Sequence, residues 1–250
     1  MPTVATLTAP YGARLLPVLS GTDDVCAVCG TGLLDRPLCR QCQRAALLLS
    51  HPAQAVAAVG LAVKGGQLAR ELAAYKRPGQ PRLRAQLAAV LWRWLRGHEQ
   101  CLATAAGARR FDLVTVVPSL RGRGGDPLAQ LAGRLIGPTR DRFHPVLTAG
   151  RDGPPFSDQR FRCRQLGDRP AVLLIDDTWT TGAHAQSAAS ALRLAGASTV
   201  AVLALGRHFH PDPPAPYTAA ARAYLARATA QGWSWETCGY CRPAALRAAG

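Results

Sequence analysis

The sequence predicts an α/β fold: a parallel sheet flanked by helices, preceded by a small N-terminal cysteine ribbon. Three observations predict it. Apolar runs of strand length alternate with helix-period segments from residue 55 to residue 205. One run ends in two adjacent acids and a hydroxyl-rich turn, "VLLIDDTWTTGAH" at 172–184. Four cysteines near the N-terminus form two Cys-x-x-Cys pairs, "CAVCGTGLLDRPLCRQC". A chain of 250 residues holds one sizeable domain and a small accessory one.

The first region, residues 1–50, is the cysteine head with a lead-in expected to lack structure. Cys26, Cys29, Cys39 and Cys42 have the spacing of a closed, structural, tetrahedral Zn²⁺ site. Two disulfides are the alternative, disfavoured in a cytosolic chain. So short a piece buries little core, so metal binding would supply most of its folding energy.

His51-Pro52 opens the second region, 51–210. Residues 55–63 read as a strand. Residues 65–79 read as a short helix stopped by Pro78-Gly79. Residues 81–97 read as a longer helix with Leu83, Leu87, Val90, Leu91 and Trp94 on one face. A strand follows at 111–118, then an Arg/Gly turn. Asp126 caps a helix that has Pro127 at its first position, with Leu128, Leu131 and Leu135 on one face, and Gly137-Pro138 ends it. "HPVLTA" at 144–149 reads as a third short strand. Residues 149–170 form a long basic loop, a length that is usually functional or mobile. A strand at 171–176, a turn, a helix at 182–195 closed by Gly196, and a strand at 199–205 complete the pattern.

The third region, 211–250, is a tail with one helix-like run at 217–230 and the pair Cys238-x-x-Cys241. That pair can join His208 and His210 in a second zinc site, form a disulfide, or do neither. Cys101 and Cys163 read as ordinary isolated thiols.

The net charge is +15. Lys occurs only at 64 and 76, so 28 of the 30 basic residues are Arg. Composition bias accounts for the arginine but not for twice as many bases as acids. That excess favours a polyanionic partner, a phosphorylated metabolite or nucleic acid. No apolar run reaches membrane-spanning length and no secretion signal is visible, so the expected location is the cytoplasm.

In parallel sheets ligands sit beyond the carboxyl ends of strands. There, amides and hydroxyls from Thr178 to Gly182 at a helix N-terminus suit a phosphate monoester. Asp176 and Asp177 would repel it, and suit a neighbouring diol instead. A ligand with a 5′-phosphate and free ribose hydroxyls fits both halves. A capped turn without ligand is the alternative, but two acids at the end of a buried strand are costly without a partner.

"VLLIDDTWTTG" resembles the phosphoribosyl pyrophosphate (PRPP) signature of type I phosphoribosyltransferases. With the cysteine ribbon, "YKRPG" at 75–79, "VVPSLRGR" at 116–123, Gln159 and "LRLAGASTVAVLALGR" at 192–207, the chain resembles the ComF family from residue 26 to about residue 207. That family joins a zinc ribbon to a phosphoribosyltransferase-like domain and is tied to competence and DNA uptake. Here Trp179 stands where the family has a small aliphatic residue, and the family's Phe-Asn after the pyrophosphate turn is absent.

The resemblance implies that Thr178, Trp179, Thr180, Thr181 and Gly182 hold the 5′-phosphate. Asp176 and Asp177 become the catalytic acids, meeting the ribose hydroxyls directly or through Mg²⁺. Arg121 and Lys76 meet the pyrophosphate. Arg151, Arg160, Arg162 and Arg164 ride on a loop that closes over the site. The implied activity is transfer of ribose 5-phosphate to a nitrogen acceptor. The alternative is a non-catalytic protein that binds PRPP or nucleotides, and single-stranded DNA.

Overall fold

A strand of small aliphatic residues is stable in mid-sheet only when both of its faces are covered, and that requirement organises this chain. The computed structural model describes residues 3–32, 37–119 and 126–241. In chain order its elements are α1 (Val4–Gly12), α2 (Arg40–Leu48), β1 (Ala55–Val63), α3 (Gln67–Ala74), α4 (Pro81–Ala105), β2 (Leu113–Val116), α5 (Pro127–Gln130), a π turn (Leu131–Leu135) and α6 (Gly137–Arg140). Then follow β3 (Leu147–Ala149), β4 (Phe161–Cys163), β5 (Ala171–Trp179), α7 (Ala183–Leu194), β6 (Thr199–Phe209) and α8 (Thr218–Gln231). Four strands make a parallel sheet in the order β1-β6-β5-β2.

The period-two alternation of β5 and β6 divides the core. Leu173, Ile175, Ala201, Leu203 and Leu205 pack with Leu72 of α3 and with Leu87, Leu91 and Leu102 of α4. Val172, Leu174, Val200, Val202 and Ala204 pack with Ala185, Ala188, Ala189 and Leu192 of α7. Residues 172–175 and 200–204 are fully buried, which explains the unbroken apolar runs. Each Val, Leu or Ile among them contributes about 1.5–3 kcal/mol by leaving water.

Several elements depart from the sequence reading. The lead-in is helical: Thr3 caps α1 by accepting from the Thr6 amide at 3.1 Å. A nine-residue helix is marginal alone and is held here by tertiary contact. The Tyr11 hydroxyl donates to Glu71 at 2.8 Å, and Arg93 of α4 donates to Thr8 at 3.1 Å. Helix α4 runs past Gly97, because His98, Leu102 and Ala103 continue its buried stripe. Leu131 is buried but Leu135 is exposed, because the π turn rotates the following residues off the helical face. The "HPVLTA" strand does not enter the sheet; β3 pairs antiparallel with β4. Both central strands run longer than expected, to Trp179 and Phe209.

The sheet edges are covered. Residues 142–144 hydrogen-bond along β2: Val114 donates to Arg142 at 2.8 Å and His144 donates to Val114 at 2.9 Å. On β1, Leu61 donates to Leu16 at 2.8 Å, Trp233 donates to the Val59 carbonyl at 2.9 Å, and Tyr240 donates to the Val56 carbonyl at 2.9 Å. The C-terminal segment therefore lies against the sheet. No helix among the described residues is long and apolar enough to cross a membrane.

Candidate functional site

Strand β2 ends beside Ile175, while β5 continues along β6 through Asp176, Thr178 and Trp179. Past Ile175, β5 keeps a strand neighbour on one side only. The paired acids stand at that step.

The end of α3 supplies their partners. The buried Tyr75 hydroxyl donates to Asp177 Oδ2 at 2.6 Å, and Lys76 Nζ lies 2.6 Å from the same oxygen. Lys76, which the resemblance assigns to the pyrophosphate, is engaged by Asp177. Arg84 fixes the turn by donating to the Tyr75 carbonyl at 3.0 Å. Asp176 accepts the Asp177 amide at 2.9 Å. Burial, reinforced by the charge of Asp177, pushes the Asp176 carboxyl up to about 7. A charged Asp176 is disfavoured here, an environment that a cation would relieve.

Thr180 and Thr181 are exposed and Thr178 is half-buried. Gly182 has φ +78°, and a Cβ there would lie 2.2 Å from the Trp179 ring. Only glycine closes this turn. The Thr181 hydroxyl accepts from the Ala183 amide at 3.3 Å, at the start of the twelve-residue helix α7. Trp179 does not present its side chain to this turn. It is 1% exposed, packed beneath Gly182 in the α7-side core. Its bulk fills core space, so any ligand contact from it is through its backbone.

A residue the sequence reading passed over ties the turn to the cysteine head. Arg207, in register with Trp179, is buried. It donates to the carbonyls of Trp179 at 3.4 Å, Thr180 at 3.3 Å, Cys29 at 3.3 Å and His208 at 2.6 Å. It also lies 3.8 Å from Cys29 Sγ. The signal was present: a lone Arg near the end of an eleven-residue apolar strand needs acceptors.

The thiols of Cys26, Cys29, Cys39 and Cys42 lie within 4.8 Å of one another. Cys26 and Cys29 sit on a knuckle in which Gly30 donates to the Cys26 carbonyl at 2.9 Å. Gly30 has φ +64°, and a Cβ there would meet Val18 and the Leu19 carbonyl. Cys39 is the N-cap of α2, and its sulfur accepts from the Cys42 amide at 3.5 Å. Four converging sulfurs are a donor set for a structural metal.

A second convergence differs from the His208/His210 site that was one of the alternatives for the tail pair. Cys238 and Cys241 do not meet His208 and His210; His210 contacts Lys64 at 3.1 Å instead. They meet His98 and Cys101, so Cys101 is not isolated. The missed signal is His-x-x-Cys, three residues apart on one helix face.

The basic loop is anchored rather than open. Phe156 is buried with Ala45, Leu49 and Ala183. Asp158 accepts from both the amide and the hydroxyl of Ser50. Arg160 donates to the Pro154 carbonyl at 3.1 Å and contacts His184 at 3.0 Å, while Arg151, Arg162 and Arg164 are exposed. Arg121 lies outside the described residues. No protein-family model matches this chain, and no curated protein matches it.

Proposed function

We propose that this chain is a type I phosphoribosyltransferase-like protein of the ComF kind that binds PRPP with Mg²⁺ at the end of β5. One observation carries the reading: paired acids and a glycine-closed hydroxyl turn lie side by side at a helix N-terminus, where the strands end. Loop amides and the hydroxyls of Thr178, Thr180 and Thr181 hold the 5′-phosphate, and the α7 dipole favours the anion. Asp176 and Asp177 hold the ribose hydroxyls, directly or through the metal, and Tyr75 fixes Asp177 from beneath. The bound Mg²⁺ would supply charge neutralisation for the diphosphate. Lys76 exchanges Asp177 for the pyrophosphate. Transfer breaks the bond from ribose C1 to the pyrophosphate oxygen and joins C1 to an acceptor nitrogen. Pyrophosphate leaves, and the acceptor loses a proton. On the same reading the metal of Cys26, Cys29, Cys39 and Cys42 is zinc, and its role is structural.

Calorimetry with PRPP and Mg²⁺ tests this. Saturable binding that disappears without Mg²⁺, and in Asp176→Asn with Asp177→Asn, supports it. No binding at millimolar PRPP sinks it. The net charge of +15 and the exposed Arg151, Arg162 and Arg164 favour a second, compatible reading, non-catalytic binding of single-stranded DNA. A steep fall in DNA affinity with salt supports that one.

A further inference from the structure

We propose that His98, Cys101, Cys238 and Cys241 hold a second zinc ion, a structural Cys3His site that fastens the C-terminal segment 233–241 to α4. The site is independent of the PRPP reading.

Helix α4 presents His98 and Cys101 three residues apart, on one face. The segment after α8 brings the other pair to them. Trp233 and Trp235 meet edge to face, with ring centres 4.3 Å apart. Arg93 of α4 stacks over Trp235 at 4.2 Å, and the bonds from Trp233 and Tyr240 hold the segment along β1. The four ligand atoms then lie within 4.8 Å of one another.

Their separations match a metal. In a tetrahedral site with Zn–S about 2.3 Å and Zn–N about 2.0–2.1 Å, neighbouring sulfurs stand about 3.8 Å apart, and sulfur and nitrogen about 3.6 Å apart. Here Cys101 and Cys241 are 3.9 Å apart, Cys238 and Cys241 3.5 Å, and His98 Nδ1 and Cys241 3.5 Å.

The surroundings prepare the ligands. His98 Nε2 lies 2.9 Å from the Trp235 carbonyl, which can only accept. Nε2 therefore carries the ring proton, and the Nδ1 lone pair faces the sulfurs, as in a metal-bound histidine. The Cys238 amide donates to Cys241 Sγ at 3.2 Å, and the Cys241 amide donates to the Cys238 carbonyl at 3.1 Å. This is a tight knuckle with an amide aimed at a ligand sulfur. With three thiolates and a neutral imidazole the ligand set is closed, so the role is structural. The fastened segment walls a cavity of about 400 Å³ between β1 and the Cys26–Gly30 knuckle, with Trp94, Trp233 and Tyr240 in its lining.

The test uses the full chain, purified with reductant and zinc but without chelator. Elemental analysis should give two zinc equivalents per chain. Cys238→Ser with Cys241→Ser should leave one, and Cys26→Ser with Cys29→Ser should also leave one. In the head variant the remaining zinc, whose ligands meet only when α4 and the tail have packed, shows that the rest of the chain is folded; circular dichroism and a cooperative melt show it for the tail variant. Should the tail variant not fold, wild-type apoprotein titrated with Co²⁺ provides the second measurement. Two equivalents should develop thiolate-to-cobalt charge-transfer bands, with two distinct ligand-field spectra. His98→Ala should alter only one of these. One equivalent in wild type, an unchanged count in the tail variant, or a Cys238–Cys241 or Cys101–Cys241 disulfide in reduced protein would overturn the proposal.

Discussion

The two cysteine clusters have the same number of donors and opposite structural logic. The N-terminal cluster closes a loop from residue 26 to residue 42; the other joins residue 98 to residue 241. The first gathers its ligands within one short segment and needs no sheet to assemble. The second exists only once α4, β1 and the tail have packed. Closing a loop about nine times longer restrains the unfolded chain by about 2 kcal/mol more. The local cluster therefore creates structure, and the distant one secures structure already formed.

The largest expected effect tests that contrast. On the zinc reading, Cys26→Ser with Cys29→Ser would remove a metal whose binding supplies about 10–16 kcal/mol to the head. Hydrogen exchange should show residues 22–32 and 37–48 unprotected while β5 and β6 stay protected. Equal loss of protection in both would mean that the head is not a separate metal-built unit.

Next in size is the link between head and turn. Arg207→Met leaves the carbonyls of Cys29, Trp179 and Thr180 without their shared donor and the Cys29 sulfur without a cation. Denaturant unfolding should show a loss of about 3–5 kcal/mol, as expected for removing one partner of a buried charged contact. A loss under 1 kcal/mol would show that head and turn are independent.

The acids give a pH test of smaller size. The Asp176 carboxyl is raised from its ordinary range to about 7, because burial and Asp177 disfavour its charge. A raised acid binds its proton more tightly folded than unfolded. Its burden on stability is therefore absent below about pH 4, grows through the interval up to about 7, and is complete above it. Wild type should lose a few kcal/mol across that interval relative to Asp176→Asn. Mg²⁺ should recover part of it above pH 7, where the carboxylate is ionised. Parallel stability profiles for the two proteins would remove the strained pair from the account.

What the sequence could show follows from the same contrast. The β5 strand, its acids, its turn and the first cysteine set are encoded within short stretches, so pattern and spacing reach them. The bond from Tyr75 to Asp177 spans 102 residues, that from His98 to Trp235 spans 137, and that from Arg207 to Cys29 spans 178. Nothing local encodes these pairings. Trp179 shows the same limit within a motif. Its place in the turn was legible, but whether the ring faced ligand or core depended on α7 and β6.

The smallest effect probes the turn itself. The Thr181 hydroxyl accepts from the Ala183 amide, which leaves its own proton free to donate to a phosphate oxygen. Thr181→Val keeps the shape and removes that donor. PRPP binding should weaken by about 1.5–3 kcal/mol, the size of one hydrogen bond to a charged group, which is about a ten- to hundredfold rise in Kd. The background makes the measurement sharper. In Cys238→Ser with Cys241→Ser the penalty should be unchanged, because the tail cluster does not touch the turn. In Arg207→Met it should shrink, since a turn whose carbonyls are no longer pinned holds the hydroxyl less well. A double-mutant cycle measures that coupling directly. An unchanged Kd in Thr181→Val would remove this hydroxyl from the phosphate contacts. Equal penalties in all three backgrounds would show that the distance from the N-terminal cysteine cluster to the turn is not bridged through Arg207.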